Sequence, residues 1–294
     1  MHVSTSTCLC SRYYTPNGQV FDMERAIHIL AKAGFKYLDI DITHIDEGHP
    51  LGSDSWEKWG DKLVELVADE NISVEQAHAH WYRSYEMHSA DEEAWNCELI
   101  RRSLQVIGKF GKGISIVAHT HSVYDENGYN CEKSFQKNLE YFSEIGEVAA
   151  KQGNRIAIEI LFPVPGTQFG CCAEELIRLR DTLNDPLFGI CWDFGHAAIA
   201  GVDQINGLKA VGKRLIATHC QDNFGELPDM HMMPFLGSNN WPALMKTLKE
   251  IGYQGNLDLE VHMLTKKLPA DMQLDGCRLA LNSVEHLKQM YDEA

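Results

Sequence analysis

Arg155-Ile156-Ala157-Ile158-Glu159 is a short apolar run that ends in a side chain able to hold a metal. Three later runs repeat the pattern: Gly189-Ile190-Cys191-Trp192-Asp193, Leu215-Ile216-Ala217-Thr218-His219 and Asn256-Leu257-Asp258-Leu259-Glu260. Runs this apolar suit the strands of a parallel sheet buried on both faces. One carboxylate or imidazole at a strand end is ordinary. Two Glu, one Asp and one His at four such ends point to one divalent-metal site assembled from distant parts of the chain.

Outward from these runs, the hydrophobic period switches between strand-like and helix-like at short intervals. Strands are predicted at 2–8, 37–42, 73–79, 114–119, 155–161, 187–192, 215–219 and 256–261. Helices are predicted at 22–34, 54–69, 91–110, 132–152, 173–183, 203–212, 241–251 and 275–291. The first helix carries Met23, Ala26, Ile27, Leu30 and Ala33 on one stripe and stops at Gly34. Ser89-Ala90-Asp91-Glu92 is an N-terminal signal for the third. Trp241-Pro242 puts proline in the first turn of the seventh. With no linker or break in composition, eight strand–helix repeats predict a single (β/α)8 TIM barrel, one domain over 1–294. Chemistry in such a barrel sits at the C-terminal strand ends. Glu159, Asp193, His219 and Glu260 fall there, as do His78 and His80 after the third strand and His119 and His121 after the fourth.

The chain has 294 residues, 44% of them hydrophobic, ample for a sizeable core. Its 26 Lys and Arg against 42 Asp and Glu give a formal net charge of −16. Such a surface repels phosphate backbones and anionic membranes, so neither nucleic acid nor membrane is expected as a partner. No apolar run is long enough to span a bilayer. The first seven residues lack the basic and apolar regions of a signal peptide, and the nine cysteines follow no zinc-ribbon spacing. Reduced thiols and a cytoplasmic location are expected. A homo-oligomer is compatible with all of this.

Strand side chains alternate inward and outward, so Ala157 shares a face with Glu159, and Ala217 with His219. The small neighbours leave space above the barrel core. Two Glu, one Asp and one His form a mostly oxygen-donor set for one divalent ion. Mn²⁺ is the first expectation, Mg²⁺ and Co²⁺ fit as well, and Zn²⁺ is tolerated.

Cys191-Trp192-Asp193-Phe194-Gly195-His196-Ala197 resembles the D-x-x-H segment of the xylose-isomerase-like barrel superfamily, which holds sugar (phosphate) isomerases and epimerases and the apurinic endonucleases. Ile158-Glu159, Thr218-His219-Cys220-Gln221-Asp222-Asn223 and Leu259-Glu260 agree with it in order and spacing. Asp229-Met230-His231-Met232-Met233-Pro234-Phe235-Leu236-Gly237, with Trp241 after it, resembles the family's D-x-H…P-G-x-G…W stretch, with Phe235 in place of the first glycine. The resemblance implies that Glu159, Asp193, His219 and Glu260 bind one divalent metal. It also implies that Glu159 and Glu260 move protons beside a carbonyl through an enediolate, and that His196 meets a substrate oxygen.

The expected activity is therefore that of a metal-dependent sugar isomerase or epimerase. The stretch from Ile216 to Leu244 has no Lys or Arg, which points to an unphosphorylated sugar, polyol or glycoside. The alternative is a lyase or dehydratase on a keto-sugar, keto-inositol or oxidised (C-)glycoside. An apurinic endonuclease would use further ligands, for which His78 or His80, His119 or His121, His196, Asp229 and His231 are candidates, but the charge opposes it. Substrate contacts are expected from His196, His231, His80, His119, His121, Trp81 and Arg83.

Overall fold

The computed structural model describes residues 1–15, 18–45, 48–82, 89–262 and 264–294. Eight parallel strands form the barrel: β1 (Val3–Ser6), β2 (Tyr37–Asp41), β3 (Ser73–His78), β4 (Ser115–Ala118), β5 (Arg155–Glu159), β6 (Phe188–Asp193), β7 (Leu215–His219) and β8 (Leu257–Leu259). Their order is β7-β6-β5-β4-β3-β2-β1-β8. The seam between β7 and β8 carries a parallel bridge between Cys220 and Leu259, where the Cys220 N–H donates to the Asp258 carbonyl at 2.5 Å. The barrel is thus nearly closed, and the predicted (β/α)8 architecture is the observed one.

Eight helices follow the strands: α1 (Met23–Ala33), α2 (Trp56–Asp69), α3 (Ala90–Lys109), α4 (Cys131–Gln152), α5 (Ala173–Leu183), α6 (Gln204–Val211), α7 (Trp241–Glu250) and α8 (Gln273–Glu293). Their ends follow local chemistry. The Asp22 side chain accepts from the Arg25 N–H to start α1, and Gly34, at φ 115°, closes it in the left-handed region that glycine favours. Ser89 and Glu92 form a reciprocal capping box on α3. Met23, Ala26, Ile27, Leu30 and Ala33 of α1 are all buried. Each large aliphatic side chain among them contributes roughly 1.5–3 kcal/mol relative to exposure.

Most of the core lies between strands and helices. Inside the barrel, Val117, Ala157, Cys191 and Ala217 form a second, small apolar cluster. The other side of the interior is polar. The Ser4 hydroxyl donates to Asp258 at 2.5 Å, and the Gln76 amide donates to Asp39 at 3.0 Å, all four residues being buried. The barrel floor beneath the strand ends is therefore split into an apolar half and a carboxylate-bearing half.

The expected first strand ends early, at Ser6. The chain then makes one helical turn (Cys8–Ser11) and a hairpin pairing Arg12–Thr15 with Gly18–Phe21. A second hairpin pairs Tyr124–Asp125 with Gly128–Tyr129. A short helix, Phe194–Ile199, follows β6 directly because Asp193 caps it, accepting from the His196 N–H at 2.6 Å. None of these three insertions carries the hydrophobic period that marks the barrel elements.

Candidate metal centre

The ends of β5, β6, β7 and β8 bring Glu159, Asp193, His219 and Glu260 together. One donor atom from each lies within 4.8 Å of the others, and all four residues are buried. His219 Nδ1 is at the middle: 2.7 Å from Glu159 Oε1, 3.2 Å from Glu260 Oε2 and 3.8 Å from Asp193 Oδ2. Burial opposes charge on this imidazole, but Glu260 and Glu159 outweigh it and hold His219 well above its ordinary value. Asp193 is pushed up to about 7 by burial, against the pull of His196, with Glu159 and Glu260 adding repulsion.

Two carboxylate oxygens in the cluster, Asp193 Oδ2 and Glu260 Oε2, are buried without a hydrogen bond. A buried carboxylate oxygen with no donor is costly, and a cation shared among the four groups would satisfy both. The residues present therefore fit a divalent ion. The orientation of Asp193 is itself built in. Its Oδ1 accepts from the His196 N–H and from Gln221 Nε2 at 3.0 Å, which leaves Oδ2 turned toward the cluster. Gly195 allows this, since a side chain there would collide with the Gln221 amide.

Two more clusters adjoin the first. Glu159 Oε2 faces His119 Nε2 at 2.7 Å and His78 Nε2 at 3.2 Å. Asp229 Oδ2 faces His231 Nε2 at 2.6 Å and His196 Nε2 at 3.3 Å. Each trio has donor atoms within 4.8 Å of one another. Glu159 thus uses both oxygens, one toward His219 and one toward the β3 and β4 imidazoles. Burial pushes His119 down to about 4, against the pull of Glu159. Burial opposes charge on His231 too, but Asp229 and Glu260 raise it to about 9.

Asp229 and His231 ride on the long loop after β7, which is tied down by Asp222. That carboxylate accepts from the backbone N–H groups of Asn223, Phe235 and Asn239 and from the Trp241 indole, all at 2.9–3.1 Å. Phe235 replaces the glycine of the family stretch and adopts φ 77°, the backbone region that favours glycine.

One family model, described as a xylose isomerase-like TIM barrel, matches residues 27–288, most of the chain. The chain belongs to the xylose isomerase-like TIM barrel family. Among solved structures this xylose isomerase-like barrel is similar to a D-tagatose 3-epimerase-like protein, at 21% identity and TM-score 0.74, covering 100% of this chain and 99% of that one. It is similar to an uncharacterised protein of Sinorhizobium fredii at 26% identity, over 56% of this chain and 52% of that protein. It is also similar to the inosose dehydratase of Lactiplantibacillus plantarum at 24% identity, over 48% of each. The chain spans about half the length of the curated relatives it matches.

Above the cluster of this barrel lies an open cavity of about 1100 Å³. His78, His119, His196, Asp229, His231 and Glu260 line it, with Trp81 alongside. The Trp81 ring stacks on His119 with centroids 4.9 Å apart. Two expected substrate contacts need correction. His80 and His121 do not line the cavity. His80 directs Nδ1 to the Thr43 carbonyl at 2.9 Å, and the His121 ring packs edge-on against Tyr141 at 4.4 Å. Alternation alone would set His80 beside His78 and His121 beside His119, but the strands end at His78 and Ala118, so it no longer holds for the residues beyond. Arg83 lies outside the described residues.

Residues that sequence reasoning missed also line the cavity. Arg12 and Gln19 come from the first hairpin, Asp41, Thr43 and His44 from the end of β2, and His262 from just beyond Glu260. The His262 ring lies against His231 at 4.2 Å, and burial pushes it down to about 3. Asp41 had a signal as the last residue of β2, and His262 had one in its place two residues after a candidate ligand. Among the described residues, no helix is long and apolar enough to cross a membrane.

Proposed function

We propose that this chain is a divalent-metal-dependent sugar isomerase or epimerase that removes a proton beside a carbonyl and returns it. The observation carrying this reading is the convergence of Glu159, Asp193, His219 and Glu260 within 4.8 Å, buried, with two carboxylate oxygens left without donors. An ion held there, Mn²⁺ being the first choice, supplies Lewis-acid polarisation of a substrate carbonyl and hydroxyl.

The chain's own groups then divide the work. Glu260 lines the cavity, and its Oε2 makes no hydrogen bond, which suits it to take the proton. Glu159 does not line the cavity. It acts through His119, which does line it and whose Nε2 is 2.7 Å from Glu159 Oε2. Pushed down to about 4, the imidazole is neutral at neutral pH, so it passes a proton only in step with the Glu159 carboxylate that it faces. Glu260 and the His119–Glu159 pair are thus two proton carriers, as epimerisation requires. His196 and His231 meet substrate oxygens, and Trp81 packs against sugar C–H surface. If the substrate carries a leaving group next to the carbanion, the same first step ends in elimination. The similarity to an inosose dehydratase supports that branch.

Phosphodiester hydrolysis at a multinuclear zinc centre is a second reading, favoured by the adjoining clusters on Glu159 Oε2 and Asp229 Oδ2. The net charge of −16 opposes it. The deciding experiment incubates the metal-loaded protein with ketoses and 3-keto sugars in D₂O. Deuterium should enter the carbon beside the carbonyl, with about one ion per chain. Glu260→Gln and Glu159→Gln should each abolish the exchange. No exchange over the whole panel, together with about three zinc ions per chain, would overturn the sugar reading in favour of hydrolysis.

A further inference from the structure

The cavity above the candidate metal centre has two walls of opposite chemistry. Leu161, Phe162, Val164 and Pro165 from the loop after β5, with Leu227 and Pro228 from the loop after β7, make one wall. The facing wall, from the first hairpin and the β2 and β8 ends, is polar, with Gln19, Asp41, Thr43 and Lys266 among its residues. The donor clusters lie between them. Leu227 is 53% exposed, so its side chain is open to the cavity and not packed into the core. The β5 loop is stiffened by paired hydrogen bonds between Val164 and Thr167, which fix the wall in place.

Size adds an independent constraint. Sites that enclose whole drug-sized ligands have volumes of roughly 300–1,000 Å³. At about 1100 Å³ this cavity lies just above that range. A free hexose, with a dozen heavy atoms, would leave most of it filled with water and would touch the apolar wall with hydroxyls. A ligand with a sugar at one end and an apolar group at the other would fill both halves.

The geometry points to a glycoside with an aromatic or alkyl aglycone as the substrate class, the sugar lying on the polar wall over the metal cluster and the aglycone lying on Phe162 and Leu227. This rests on the sugar reading given above, and it deepens that reading by adding an aglycone subsite. The subsite is a matter of equilibrium binding, so it is tested without turnover.

The probes are matched methyl and phenyl β-glycosides of glucose, galactose and mannose, none of which carries a carbonyl to react. Binding to the metal-loaded protein is followed by calorimetry and by tryptophan fluorescence, to which Trp81 contributes. In at least one pair the phenyl glycoside should bind tenfold or more tighter, a difference of about 1.4 kcal/mol. The double variant Phe162→Ala/Leu227→Ala should erase that preference and leave methyl-glycoside affinity within twofold. Equal affinities in every pair, no binding of any probe, or a preference that survives both substitutions would overturn the inference. The two proposals fail separately. An aglycone preference without deuterium exchange defeats only the reaction, and exchange without an aglycone preference defeats only the subsite.

Discussion

Metal uptake by this barrel should be strongly linked to protons. The four groups that would hold an ion contain two that carry protons near neutrality when no ion is bound. His219 is held well above its ordinary value, burial being outweighed by Glu260 and Glu159. Asp193 is pushed up to about 7, chiefly by burial, so it is about half protonated at pH 7. Both must lose their protons to act as donors. More protons should leave per ion at pH 6 than at pH 8, because Asp193 is then protonated as well. Each displaced proton lowers affinity tenfold per unit fall in pH below its pKa. For Asp193, at about 7, the fall from pH 8 to pH 6 costs about one decade, or ~1.4 kcal/mol, and the proton displaced from His219 adds to that loss. Titrating metal-free protein with Mn²⁺ by calorimetry at pH 6, 7 and 8, in buffers of different ionisation enthalpy, reads both the affinity and the protons released. Heats that do not depend on the buffer, or an affinity that changes less than about threefold between pH 8 and 6, would refute the assignment of His219 and Asp193 as donors.

Three further outcomes follow from particular contacts. Asp222→Asn replaces an acceptor of four hydrogen bonds with a group whose amide must face a donor, so it should cost about 3 kcal/mol in thermal or denaturant unfolding. A loss under 0.5 kcal/mol would show that the β7 loop does not depend on it. At Phe235, with φ 77°, Phe235→Gly should fold with unchanged or slightly higher stability, whereas Phe235→Val should lose about 1–2 kcal/mol. Equal effects of the two would contradict the strained backbone. Burial, with smaller contributions from Lys137 and His119, pushes His121 down to about 3. Its folded value lies below its unfolded one, so its stabilisation is complete above about pH 6.5 and is lost as pH falls toward 3. His121→Phe should therefore flatten the acid side of the stability–pH curve by ~1.4 kcal/mol per pH unit in that window, and an unchanged slope would count against a buried neutral imidazole.

The eight strands and eight helices are legible in the sequence because a barrel strand is buried on both faces and a barrel helix on one, and each leaves its own period. The ligand-bearing ends of β5 to β8 are legible for the same reason, since the last residue of an apolar run is easily recognised. What the sequence hides is whatever depends on a turn made after the strand has ended. His80 and His121 sit two residues beyond inward-facing histidines, and nothing in their spacing tells that the backbone has already changed direction. Arg12 and Gln19 reach the cavity only through a hairpin of eight or so residues with no hydrophobic period. Leu227 and Phe162 look like stray apolar residues in loops until the barrel brings those two loops to one side of the opening.

The largest change that geometry makes concerns Glu159. In sequence it is the twin of Glu260, each ending an apolar run, and symmetry suggests a matched pair of proton carriers. In space they differ. Glu260 lines the cavity and has an oxygen with no hydrogen bond, whereas Glu159 is buried with Oε1 toward His219 and Oε2 toward His119 and His78. A carboxylate engaged at both oxygens is a poor direct base, because protonating either oxygen would break a contact that balances its buried charge. It is well suited to joining two clusters, setting the orientation of His219 on one side and of His119 on the other. The imidazoles that exceed what a two-carboxylate epimerase needs then have a physical role. His119 extends Glu159 into the cavity, and His196 and His231 hold Asp229 at its far side. The proposed proton transfer then rests on Glu260 and His119 at the cavity wall, with Glu159 as the buried link beside them.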